Sequence, residues 1–301
     1  MSRTLITTVT DGQKKQVKRF AEDAVDRAIA EGLLDKDGSQ KLIENGAKFQ
    51  AHIIAGIKDL SVSNQFANEE VRSSDTYPKE YKGPKPIADQ IKALAKIFDL
   101  DPSQALEFAK NLPALPKGAE GWFAIPSVDA LAKKHFPEVT DPTQKYCRAV
   151  QLVHAKIADS RSFYNYREGQ ITPAQLRVHA RTAHALDLIA EKQKGDILIV
   201  AAQLGMRHRG KSVRRAREVF MTNEFGLGSL AVGSIVLTHP ERLVRWEELD
   251  MDCSGDEFSP EADGDFSLSP YFHFGGKVWF DTSFVDSPLD FFGSVSGFLS
   301  Q

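Results

Sequence analysis

The stretch that most restricts how this chain can fold is residues 196–238, which reads DILIVAAQL, GMRHRGKS, VRRAREVFMTNEFGLG and SLAVGSIVLT. An apolar β-branched run that stops at Gly205, a basic turn, an amphipathic segment of helical length and a second apolar run predict strand, loop, helix and strand. That order is a βαβ-like unit. Its loop also fits the phosphate-binding pattern G-x-x-x-x-G-K-[ST], with Gly205, Gly210, Lys211 and Ser212 at the fixed positions. In such a loop the glycines let backbone N–H groups wrap a phosphate, the lysine reaches the β/γ-phosphates and the serine holds Mg²⁺. Three features oppose the match. Arg207, His208 and Arg209 are bulky inside the loop, SLAVGSIVLT ends without an aspartate, and fewer than 100 residues remain to complete a parallel nucleotide-binding sheet. A divergent nucleotide phosphohydrolase using Lys211 and Ser212 is therefore the alternative reading rather than the leading one.

The same loop concentrates charge. Arg207, His208, Arg209, Lys211, Arg214, Arg215 and Arg217 lie within eleven positions. Residues 145–220 carry 15 lysines and arginines against 6 acidic residues, whereas residues 221–301 carry 3 against 14. A basic run of this density suits a nucleic-acid backbone or another polyanion. Alternatively, the basic and acidic regions face each other and neutralise. The segment SRSFYNYREG, residues 160–169, offers a second set of contacts: Arg161, Tyr164, Tyr166 and Arg167 interleave rings for stacking on bases with cations for phosphates. Packing of those rings onto neighbouring helices is the plainer role. The leading expectation is a non-enzymatic module that binds nucleic acid or another phosphate-bearing ligand, with a structural or protein-interaction role beside it.

Along the chain, residues 11–60 predict a helical hairpin, with Val17, Phe20, Ala24 and Ala28 at helical spacing, Gly32 ending the first helix and Ser39 capping the second. Residues 61–86 are polar and include Tyr77, Pro78, Gly83, Pro84 and Pro86, which predicts a surface connection. The chain thus divides into a helical hairpin region, 1–76, and a main domain, 77–301. A helix follows from Pro86 to Phe98. Asp101, Asp141 and Thr172 each open a cap-Pro-x-Gln signature, which predicts helices of roughly 10, 20 and 20 residues. Trp122–Ile125 reads as a buried strand or an anchoring loop, followed by a helix capped by Ser127. Near the C-terminus, residues 271–284 predict two strands around Gly275 and Gly276, with Phe291, Phe292 and Phe298 folding back onto the sheet. The fold class is α/β or α+β, with a helical N-terminal half and a mixed β-sheet with helices in the C-terminal half.

Asp250, Asp252, Ser254, Gly255, Asp256 and Glu261 occupy positions 1, 3, 5, 6, 7 and 12 of a calcium-loop pattern, with PERLVRWEEL as its entering helix, capped by Thr238. Glu257 at the usual aliphatic position and Pro260 in place of an exiting helix favour a solvated acidic loop instead. His179 and His184 are five apart and cannot share a helical face, and His154, His208, His239 and His273 are isolated, so structural or solvated roles are expected for those four. Two cysteines, Cys147 and Cys253, supply neither a disulfide framework nor a C-x-x-C pair. No apolar run reaches 18 residues and the N-terminal segment has no signal-peptide pattern, so a cytoplasmic protein without a membrane partner is expected. The residues specify no cofactor.

Taken together, WFAIPSVDAL, SRSFYNYREGQITP, GMRHRGKSVRRAR, NEFGLGS and HPERLVRWEELDMDCSGDEFSP resemble a group of uncharacterised proteins from bacteria of the candidate phyla radiation, over residues 77–301. The resemblance implies a small-genome bacterial cytoplasm. It brings no activity, ligand or catalytic residue.

Overall fold

A computed structural model describes residues 9–61 and 64–300. They fall into two units divided in sequence between Gln65 and Phe66. Residues 66–76, assigned above to the helical hairpin region, therefore belong with the main unit.

The N-terminal unit consists of α1 (Asp11–Ala30), α2 (Lys36–Glu44) and α3 (Gly46–Ser61). Thr10 and Gln13 form a reciprocal capping box at the start of α1, and Gly32 turns the chain at φ +71°. The second helix starts earlier than expected because Asp35, not Ser39, accepts the capping N–H, from Gly38. It is then broken at Asn45, the C-cap of α2.

The main unit is α+β. Its helices are α4 (Ile87–Phe98), α5 (Ser103–Phe108), α6 (Val128–His135), α7 (Pro142–Ser160), α8 (Ala180–Lys192), α9 (Val213–Val219) and α10 (Ser229–Thr238). An antiparallel sheet has the order β1 (Gly121–Pro126), β4 (Ile197–Gln203), β11 (Ser296–Phe298), β5 (Glu224–Gly226). A second, mixed sheet is built around β8 (Leu268–Phe274), which pairs with β6 (Asp250–Asp252), β7 (Asp256–Phe258) and β9 (Val278–Phe284). Its outer members are β2 (Phe163–Asn165) on β9, β3 (Leu176–Val178) on β7 and β10 (Phe292–Ser294) on β6. The buried Val295 carries the chain from β10 to β11 and so from one sheet into the other.

The predicted βαβ unit is not formed, and its second apolar run is the reason. SLAVGSIVLT is apolar on every side, which suits a helix enclosed on every side as well as it suits a strand. Here it is α10, buried along all but one of its residues and packed against α7, β1 and β8. The Asp256 carboxylate fixes its start by accepting the Ser229 N–H at 2.7 Å. The preceding amphipathic segment splits into the seven-residue α9 and the short strand β5. Because β4 pairs antiparallel on both sides, it cannot be the central strand of a parallel nucleotide-binding sheet.

Asp141 caps α7 as expected, accepting from Gln144 N at 2.8 Å, while Asp101 opens only the short α5 and the 3-10 turn Ala109–Asn111. The third signature fails. Thr172–Gln175 is a turn, because Leu176–Val178 is drawn into β3 opposite Phe258, and α8 begins only at Ala180. Trp122–Ile125 lies in β1, and the hairpin around Gly275 and Gly276 forms, with His273 opposite Trp279. Phe292 and Phe298 are buried, whereas Phe291 stays exposed. Among the described residues no helix is long and apolar enough to cross a membrane.

Close backbone crossings hold the two sheets in place. A Cβ at Gly226 would lie 2.4 Å from the Ser254 carbonyl, and one at Gly255 would lie 2.5 Å from Gly228 N, so glycine is required at both positions. The helix-on-helix contact is comparably tight. A Cβ at Gly233 would sit 2.6 Å from Val153 Cγ1 of α7. Gly233→Val is accordingly expected to destabilise the main unit by about 1–3 kcal/mol through overpacking, measured by urea unfolding. An unchanged midpoint would contradict the helical packing of residues 229–238.

Candidate functional site

The basic run is satisfied from within the protein. Arg214 holds the Glu69 carboxylate in a fork, with Nε 2.9 and 2.8 Å from its two oxygens, and lies 3.8 Å from Asp286. Arg215 pairs with Glu70 at 2.6 Å and Glu218 at 2.9 Å, and Lys211 with Glu70 at 3.1 Å. Arg217 donates to the carbonyls of Ser254 and Asp256 and lies 3.9 Å from Glu257. Arg209 donates to Asp75 O. Five of the six lysines and arginines in residues 207–217 thus meet six carboxylates within 4 Å, Glu69, Glu70, Glu218, Glu224, Glu257 and Asp286, and Arg209 is held instead by a backbone carbonyl. Mutual neutralisation prevails, but only part of it comes from the acidic C-terminal region. Glu69 and Glu70 lie in the segment read above as a surface connection.

Glu224 is the buried centre of this network. It accepts from His208 Nε2 at 2.7 Å, Ser296 Oγ at 2.7 Å and Met221 N at 3.1 Å, with Arg207 Nε 3.3 Å away. Burial alone would push its carboxyl upward; the His208, Ser296 and Met221 donors outweigh that and hold it below the ordinary carboxylate range. Burial in turn lowers His208, against the pull of the Glu224 carboxylate that its Nε2 meets.

The match to a phosphate loop does not produce a phosphate cradle. The backbone N–H groups that would wrap a phosphate already have acceptors: Gly205 and Arg207 donate to Gln203 Oε1, Met206 to Tyr77 Oη, Gly210 to Phe292 O, Lys211 to His208 O and Ser212 to Glu69 O. Ser212 Oγ donates to Glu69 Oε2 at 2.7 Å while capping α9. Gly205, at φ +118°, is required for another reason, since a Cβ there would meet Gly293 O at 2.9 Å. Gly210, Lys211 and Ser212 anchor a strap formed by residues 69–71, in which Val71 N donates to Gly210 O at 2.7 Å.

The calcium pattern disperses in the same way. PERLVRWEEL contains only the 3-10 turn Pro240–Arg242, and Asp250 and Asp252 lie on β6. Asp256 accepts from Tyr146 Oη at 2.8 Å and from Ser229 N, Ser254 Oγ donates to Val295 O, and Glu261 is exposed. Among the described residues no three potential ligands converge on a metal position. Burial raises the Asp252 carboxyl to about 7, with Ser294 Oγ its hydrogen-bond partner at 3.4 Å. Two of the histidines are structural: His154, both ring nitrogens unpartnered, packs on Phe280 with burial pushing it down to about 3, and His239 accepts from Lys85 N.

The exposed aromatic groups do converge, on a face to which the 160–169 segment contributes only part. Strand alternation sends Phe272, Val278 and Phe280 into the core and Tyr271, His273 and Trp279 outward. Parallel pairing sets Tyr164 of β2 opposite Trp279 of β9, and antiparallel pairing sets Trp279 opposite His273 of β8. One ring per strand therefore forms a row, with centroids 4.8 Å and 5.8 Å apart. Tyr166 extends the row at one end, 5.6 Å from Tyr164, and Tyr271 at the other, 5.4 Å from His273. Tyr164 and Tyr166 are 44% and 58% exposed. Lys277 Nζ lies 4.8 Å from the Tyr164 ring and 4.9 Å from the Trp279 ring, with no carboxylate within 4 Å among the described residues. The arginines of the same segment are already engaged. Arg167 pairs with Asp281 at 2.9 Å, and Arg161 donates to the carbonyls of Pro240 and Leu243. The alternation in YFHFGGKVWF was the available signal for Tyr271, His273 and Trp279; the pairing of β2 with β9 had none.

No family model, no curated protein and no solved structure matches the chain.

Two outcomes test this geometry. Glu69→Ala, which leaves Arg214 and Ser212 without their acceptor, is expected to cost roughly 1–3 kcal/mol in urea unfolding, and saturating Mg-ATP is expected to leave the wild-type melting temperature unchanged. A nucleotide-induced rise that Lys211→Ala abolishes would restore the phosphate loop. For Asp252, whose folded value near 7 exceeds the ordinary 3.8, stability is fully present below about pH 4 and falls by up to about 1.4 kcal/mol per unit as pH rises toward 7. Asp252→Asn should remove that slope and be more stable than wild type at pH 8; parallel stability–pH curves would contradict the assignment.

Proposed function

We propose that the main unit is a non-enzymatic module that binds single-stranded nucleic acid on the outer face of β2, β9 and β8. The observation that carries this reading is the cross-strand row Tyr164, Trp279 and His273, extended by Tyr166. Adjacent strands lie about 4.8 Å apart, so the row offers a ring at each step across the sheet on which an unstacked base can lie. Stacking of that kind is tolerant of sequence and contributes about 1–3 kcal/mol per base. Lys277 supplies a cation beside the rings, while His273, which burial holds below its ordinary value, contributes a neutral ring.

The charge distribution gives this reading its own salt signature. For single strands, the logarithm of the binding constant falls with the logarithm of salt by about 0.7 per phosphate neutralised. One or two contacts, at Lys277 and a neighbour, predict a slope of about −0.7 to −1.4, whereas engagement of all six cations of residues 207–217 would give about −4. Fluorescence anisotropy with a labelled single-stranded RNA should show the shallow slope. Trp279→Ala should weaken binding by roughly 5- to 100-fold. No binding at low salt, or a steep slope with affinity unchanged in Trp279→Ala, would overturn the reading.

A further inference from the structure

We propose that the N-terminal unit joins two copies of this chain through an apolar groove between α1 and α3. The groove, about 780 Å³ in volume, is lined from both helices. None of the described residues of the unit is buried. Helices without a buried side chain gain little from one another, because helix stability in proteins comes mainly from packing an apolar face.

The two walls carry matched seams. On α1, Val17, Ala21, Ala24 and Ala28 are spaced four, three and four residues apart; on α3, Phe49, Ile53, Gly56 and Leu60 repeat the same spacing. Alternation of four and three keeps a seam facing a partner helix along its length. The α1 wall places three alanines between larger side chains such as Phe20 and Val25, and the α3 wall is mostly large, so the large side chains of α3 in one copy fit against the alanines of α1 in another. A two-fold axis makes both such contacts at once, which is the requirement of an isologous dimer.

The available area agrees with that occupant. Eight of the side chains that line the groove are each 36% or more exposed. Together they offer roughly 800 Å², which matches the area per partner of a stable complex.

Sedimentation equilibrium of the full chain tests the proposal. At about 10 μM the wild type should sediment at twice the chain mass, and Ile53→Asp should weaken association by at least about 30-fold. Ile43→Asp, a charge placed on an exposed residue outside the groove, should leave it unchanged. A second measurement does not depend on a disruptive charge: a short bismaleimide should join Ala24→Cys protein to Ile53→Cys protein in a mixture, since the native Cys147 and Cys253 are buried. A monomer up to about 100 μM, a dimer insensitive to Ile53→Asp, or a mixture that yields no cross-link between chains would each overturn the proposal, the first by showing that the groove is covered within one chain or by another protein.

Discussion

Six cations within eleven residues can be built into a folded unit only if each finds an acceptor, and the pairing of residues 207–217 organises much of the main unit. Arg214, Arg215 and Lys211 fasten the 69–71 strap, Arg207 and His208 converge on Glu224 beside β5, and Arg217 ties α9 to the turn after β6. These bonds join segments from four parts of the sequence. Removing a partner costs most where the remaining group is buried, as at Glu224, and least at the half-exposed Arg214 and Glu70.

The same pairing explains why charge density alone is a poor guide to where this protein could take a polyanion. A basic run gains from a polyanion by releasing counterions, and it gains little once carboxylates already occupy its donors. The aromatic face differs in this respect. Tyr164 and Tyr166 keep much of their surface in water, and Lys277 rests over the rings instead of on a carboxylate. Internal neutralisation on one side and open rings on the other move the binding reading from residues 207–217 to the β2–β9–β8 sheet.

What could be read from the sequence followed from local physics. The cap at Asp141, the hairpin at Gly275 and Gly276 and the buried run of β4 each depend on neighbours a few residues away, and each is present. What could not be read was decided at long range. SLAVGSIVLT has the same apolar content as a strand, and its helical state depends on Asp256 and on enclosure by α7. Thr172 carries a helix-start signature, yet the pairing of Leu176 with Phe258 takes the residues that would have continued it. Glu69 and Glu70 meet the arginines about 145 residues away, beyond any periodicity. For the candidate face, Tyr164 and Tyr166 were legible as interleaved rings, whereas Trp279 became their neighbour only through strand pairing.

The central claim, that residues 207–217 are engaged internally while the aromatic face takes the ligand, is tested most directly by side-chain NMR of the ¹⁵N-labelled protein during titration with a single-stranded oligonucleotide. The chain has 3 tryptophans, so the indole N–H of Trp279 is readily resolved. This signal is expected to shift progressively while the Nε–H signals of Arg214, Arg215 and Arg217 stay in place. Movement of the arginine signals with a stationary Trp279 indole would contradict it.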